Sequence, residues 1–276
     1  MEIQGTLWSP ERNGASMQTR PDRPSFFRSS TRTGSFGAFG QAETAAAPIE
    51  RTGAERVAFL RRVYGWMFAG MIATVFGVAI SVKAGIAEGL LTQGFLPSIL
   101  MFVAWIGLAY VVQRVRHVPT WNVVAFAAYG FFTGIVISSM CYVAILLAEL
   151  KGLHEGTFLL QAGGLTLVAF AGLTAYAFFS KRDFSFLRSF LVVGSFVLLG
   201  ALLIGFFVES TGYHLAISSA GILLMLGFTL YDTQRVLRTY PDGEHVAGAM
   251  TLFLDFVMLF VYVLRFVLLL AGGSRD

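Results

Sequence analysis

Long apolar runs separated by short polar breaks organise this chain. A helix needs about 20 mainly apolar residues to cross the hydrocarbon core of a bilayer. Seven stretches qualify, at 63–82, 95–113, 121–148, 156–179, 190–208, 214–234 and 246–271. The third and seventh exceed the minimum, which predicts tilt. The breaks are short, so consecutive helices are predicted to be antiparallel neighbours. The pattern predicts an all-α membrane protein, a seven-transmembrane-helix bundle over residues 55–271.

Residues 1–54 differ in kind. They are rich in Ser, Thr, Gly, Pro and Arg and show no apolar period, which predicts a disordered basic tail. No apolar core follows the first charges, so the stretch does not read as a secretory signal. Glu2, Glu11 and Asp22 argue against a transit peptide. Residues 55–62 read as a short interfacial helix feeding the first span. Tyr64, Trp66 and Trp121, near span ends, read as interface anchors.

Composition points the same way. Hydrophobic residues make up 56% of the chain and charged residues 13%, against roughly 25% charged in soluble domains. One cysteine, Cys141, excludes an intramolecular disulfide and a thiolate metal cage. It reads as a buried packing residue. The net charge of +4 suits membrane orientation better than nucleic acid, for which there is no binding motif.

Charge distribution predicts topology. Sixteen Lys and Arg fall on the side of the amino terminus and three (Lys83, Lys151, Arg275) on the other, leaving aside Arg265 inside the last span. The positive-inside rule therefore places the amino terminus in the cytoplasm and the carboxyl terminus outside. Arg265 is expected to snorkel to the outer headgroups. Small residues suggest close helix approach at Gly130 and Gly134 in the third span, and at Gly172 and Ala175 in the fourth.

Two carboxylates are out of place. Ionisable residues within spans are costly and mark functional candidates. Asp232 lies near the end of the sixth span and Asp255 well inside the seventh. Counting from the intervening turn, they differ in depth by roughly 5 Å at 1.5 Å rise per residue. Neighbouring antiparallel helices would let them face each other. Two close carboxylates in a low dielectric share a proton and titrate as a pair. Such a pair can sense pH, relay protons or hold a cation, and calcium favours hard oxygen ligands. The plainer alternatives are an interfacial Asp232 paired with Arg235 and a protonated or hydrogen-bonded, packed Asp255. Arg114 and Arg116, ending the second span on the same side, are candidate latches for the carboxylates or simple interface anchors. The four histidines show no metal spacing, and no nucleotide-binding loop, catalytic triad or zinc motif occurs. Asp255 lies between Leu254 and Phe256, unlike the Gly-containing signature of intramembrane aspartyl proteases. No enzyme activity, catalytic residue or cofactor is expected.

At these residues the sequence resembles the Bax inhibitor (transmembrane Bax inhibitor motif) family, bacterial branch, from about residue 63 to residue 270. The specific pieces are Tyr231-Asp-Thr-Gln234, Leu254-Asp255-Phe256, the stretch 173–187 and the opening Val63-Tyr-Gly-Trp-Met67. The resemblance implies a seven-helix fold with a central last helix, in a bacterial cytoplasmic (inner) membrane. It also implies a pH-sensitive calcium leak governed by an aspartate pair, which motif match assigns to Asp232 and Asp255. An Arg latch from the second span would be Arg114 or Arg116. Met258 stands where the family often has Asn, which removes a polar neighbour of the pair. The short carboxyl terminus lacks the basic tail of eukaryotic cell-death suppressors. A second expectation is a membrane interaction protein that modulates a membrane protease or stress response, with residues 1–54 as its contact. A third, a proton-coupled transporter, lacks a visible broken helix or inverted repeat.

Overall fold

The computed structural model describes residues 52–273 except 93, 116, 117, 119 and 181. The tail expected at 1–54 lies almost wholly outside the described residues, as does Arg116. Eight helices follow in order: α1 (Gly53–Lys83), α2 (Ile86–Thr92), α3 (Phe95–Val115), α4 (Trp121–Leu150), α5 (Thr157–Phe179), α6 (Leu187–Ile204), α7 (Thr211–Thr239) and α8 (His245–Gly272). Among the described residues, seven of these are long and apolar enough to cross a membrane. They match the seven expected spans. The short α2, between α1 and α3, was not expected.

No separate interfacial helix precedes the first span. α1 runs unbroken from Gly53 because Thr52 and Glu55 close a capping box. The Thr52 N–H donates to Glu55 Oε2 at 2.8 Å and the Glu55 N–H to Thr52 Oγ1 at 3.4 Å. Two otherwise unpaired amide donors are thereby satisfied.

α1 and α4 pack at backbone contact, where glycine is required. A Cβ at Gly130 would lie 2.7 Å from the Gly70 carbonyl oxygen, and one at Gly134 only 2.1 Å from that of Thr74. On the other helix, a Cβ at Gly77 would fall 2.1 Å from the Phe131 carbonyl oxygen. Thr74 Oγ1 lies 2.9 Å from both the Gly70 and the Gly130 carbonyl oxygens, and Ser81 and Ser138 hydroxyls meet at 2.7 Å. Small residues and hydroxyls at one seam are how spans associate when lipid is as apolar as their side chains. Gly172 does not work this way: a Cβ there would meet nothing within 4 Å. Cys141 is buried on α4, as expected.

α8 is the central helix. It packs against α1, α4, α5 and α7. Its buried positions include Leu252, Phe253, Leu259 and Leu264. Phe253 meets Phe126 and Tyr129 of α4 edge-on, and Phe256 meets Phe170 of α5. Those aromatic contacts fix the rotation of α8 and so aim Asp255, between the two phenylalanines, into the bundle. A smaller apolar cluster joins α6, α7 and α8 around Leu191, Leu198, Ile217, Leu224 and Tyr262. Met258 packs against that cluster.

Candidate functional site

The site forms where α7 and α8 run side by side. They approach closely because Gly221 carries no side chain: a Cβ there would fall 2.3 Å from the Tyr262 ring. At the α7–α8 turn end, α7 turns a mixed face inward, with Thr229, Asp232, Thr233, Gln234, Val236 and Leu237 buried. Asp232 lies seven residues before α7 ends at Thr239, and Asp255 ten residues after α8 begins at His245. The two thus differ in depth by roughly 5 Å, as the sequence count suggests.

Both carboxylates are buried, at 8% and 7% relative exposure, and each lies within electrostatic reach of the other. Arg235 Nη1 lies 3.8 Å from Asp232 Oδ1, one turn along α7. Oδ2 of Asp255 is buried with no hydrogen-bond partner among the described residues. Buried polar atoms are nearly always satisfied, so an orphan here calls for a proton, a water or an ion to complete it. At least one oxygen of Asp255 is therefore left without the hydrogen bond that a satisfied packing residue would make there.

Two groups beside the pair were not singled out as functional by the sequence. Tyr64, read there as an interface anchor, instead points into the bundle. Its hydroxyl donates to Thr174 Oγ1 at 2.9 Å, bridging α1 and α5, with its ring edge-on to Phe170. The second is Gln234. Its Oε1 accepts the Phe184 N–H at 2.8 Å and its Nε2 donates to the Arg182 carbonyl. Arg238 Nη2 reaches the same carbonyl at 3.3 Å. The end of α7 thereby holds the loop between α5 and α6. In that loop, the Ser185 N–H and hydroxyl donate to Asp183 at 3.0 and 3.1 Å. They hold its carboxyl below the usual carboxylate range. The signal for Gln234 was present, since it closes the Tyr231-Asp-Thr-Gln234 motif.

The structure does not bring Arg114 to the carboxylates. Its guanidinium folds back on Tyr110, with Nε 2.9 Å from the phenol oxygen and the carbon 5.0 Å above the ring. Among the described residues no group of three or more His, Cys, Asp or Glu is arranged to hold a metal ion. Arg265, expected to snorkel to the outer headgroups, also makes a contact within the bundle: Nη2 lies 3.0 Å from Nδ1 of His214 in the first turn of α7.

Comparison with known proteins identifies the scaffold. The family profile described as "Inhibitor of apoptosis-promoting Bax1" matches residues 56–274. The chain belongs to the Bax inhibitor family. It is 30% identical to an uncharacterized protein of Campylobacter jejuni over 207 residues, 75% of this chain and 86% of that protein. It is 28% identical to the Golgi anti-apoptotic protein of vaccinia virus, covering 76% of this chain and 84% of that one. Against Bax inhibitor 1 of Schizosaccharomyces pombe the identity is 28%, over 80% of each chain. The matched residues, 56–274, take in Asp232, Asp255 and, apart from the first three residues of α1, all seven long apolar helices.

Proposed function

We propose that this Bax inhibitor family protein is a passive, pH-gated cation pathway, for calcium, in a bacterial inner membrane with its amino terminus in the cytoplasm. The observation that carries the reading is the burial of Asp232 and Asp255 within electrostatic reach on adjacent helices, with an Asp255 oxygen left without a hydrogen bond. Two carboxylates so placed share a proton and change charge as a unit. Sharing a proton, the pair allows α7 and α8 to stay packed. Ionised, it gathers negative charge in a low dielectric and demands a cation. Arg235 is at hand for Asp232, an Arg ending α3 is the candidate second latch, and calcium is the hard cation such oxygens favour. Competition between the ion and the basic side chains is the gate, and the central α8 is the element that moves.

The reading is tested by reconstituting the protein in liposomes and following calcium down its own gradient, with no proton gradient imposed. A pH-dependent flux supports a leak. No flux from folded protein at any value from about pH 5 to about pH 8 sinks it.

The printed names of the viral and yeast relatives, an anti-apoptotic protein and a Bax inhibitor, favour a second reading, an interaction protein without transport. Residues 1–54 are then its contact, and deleting them abolishes partner capture. Unchanged capture would count against it.

A further inference from the structure

Arg265 lies inside the last span, seven residues before α8 ends at Gly272, about 10 Å along the axis. A cation at that depth is costly unless it is paired or reaches water. Among the described residues its hydrogen-bond partner is His214 Nδ1, at 3.0 Å. That ring nitrogen brings no negative charge. His214 sits in the first turn of α7, and the start of a helix is the positive end of its dipole. The protein side of Arg265 is therefore electropositive, and no carboxylate among the described residues pairs with it.

Arg265 also lines a groove of about 650 Å³ between α2, α4 and α8. The volume is that of a small-molecule site. Leu91, Met140, Val143, Leu147 and Leu268 contribute to the walls, and Arg265 is the one charged residue in the lining. Leu91, Val143, Leu146 and Leu150 are exposed, so the groove opens on the apolar outside of the bundle. It lies where α1, α4 and α8 finish, near the headgroup level at that end.

We propose that this groove binds one acidic phospholipid from the surrounding leaflet. An acyl chain lies along the leucines, and the phosphate receives the free N–H donors of Arg265. Charge complementarity selects the occupant. A guanidinium has five N–H donors in a planar fork suited to phosphate, and the bond to His214 uses one. A zwitterionic lipid would bring its own cation to an already electropositive place. A water-soluble anion would gain nothing from leucine walls.

The test is native mass spectrometry of the full-length chain in non-ionic detergent, titrated with phosphatidylglycerol and with phosphatidylcholine of the same acyl chains. Wild type is expected to retain one phosphatidylglycerol at least about tenfold more tightly than phosphatidylcholine. Arg265→Gln loses that preference, Arg265→Lys keeps only the part that charge alone supplies, and Leu147→Trp, which fills the groove, lowers retention of both lipids. Equal retention of the two lipids by wild type overturns the proposal. So does a folded Arg265→Gln protein with the wild-type preference. Complete displacement of the lipid by inorganic phosphate would assign the site to a free anion and overturn it too. If Arg265→Gln does not fold, the wild-type preference and the Leu147→Trp protein still decide.

Discussion

The backbone N–H of Phe184 donates to Oε1 of Gln234 at 2.8 Å, which ties the loop between α5 and α6 to the residue two positions beyond Asp232. Any movement of the end of α7 therefore reaches that loop. Gln234→Leu removes the acceptor and leaves a buried N–H unpaired, at a cost of about 1–3 kcal/mol. The expected outcome is a lower melting temperature in detergent and faster tryptic cleavage after Arg182. An unchanged cleavage rate would mean that other contacts hold the loop.

The α1–α4 seam makes a sharper prediction. A Cβ at Gly134 must displace the Thr74 carbonyl, 2.1 Å away, whereas one at Gly172 enters open space. Gly134→Ala should destabilise the folded protein by about 1–3 kcal/mol through forced separation of the helices. Gly172→Ala should be close to neutral. Thermal unfolding of the two variants in the same detergent checks this, and equal melting temperatures would contradict the seam.

Much of this architecture was legible in the sequence. Seven apolar runs gave seven spans, and two carboxylates inside apolar runs stood out because lipid makes them expensive. What escaped has physical reasons. The capping box that starts α1 pairs Thr52 with Glu55, a signal hidden by the polar tail it adjoins. α2 is seven residues long, too short for a span, and lies within the break between the first two apolar runs. Tyr64, at a span end by count, turns inward because a hydroxyl of α5 awaits it. Gly172 and Gly134 have similar local patterns, and only the tertiary arrangement says which one faces a backbone. The contact between Arg265 and His214 joins residues 51 positions apart, beyond any local pattern.

Asp183 offers a control for pH dependence. The Ser185 N–H and hydroxyl favour its charged form and hold its carboxyl below the usual range. The stability this gives is present above the unfolded-state value, about 3.9, and is lost only as pH falls through the lower folded value. Asp183 stays ionised from about pH 5 to about pH 8. Asp183→Asn should therefore leave the pH profile of any calcium flux unmoved across that window. A shifted profile would assign pH sensing to the α5–α6 loop.

Arg114 is bonded to Tyr110, so its removal should be mild in this conformation. Arg114→Gln is expected to change the flux profile less than Arg235→Gln, which deletes the cation 3.8 Å from Asp232. Flux assays on the two variants side by side measure this. A larger effect at Arg114 would mean that the end of α3 swings to the carboxylates in a second conformation.

The most direct test of the aspartate pair is calcium flux into proteoliposomes from about pH 5 to about pH 8, for wild type, Asp232→Asn and Asp255→Asn. Each Asn keeps the shape and removes one titrating group. The account predicts a pH-dependent wild-type flux whose dependence is lost or displaced in both variants. A wild-type flux with the same pH profile in either variant would contradict it.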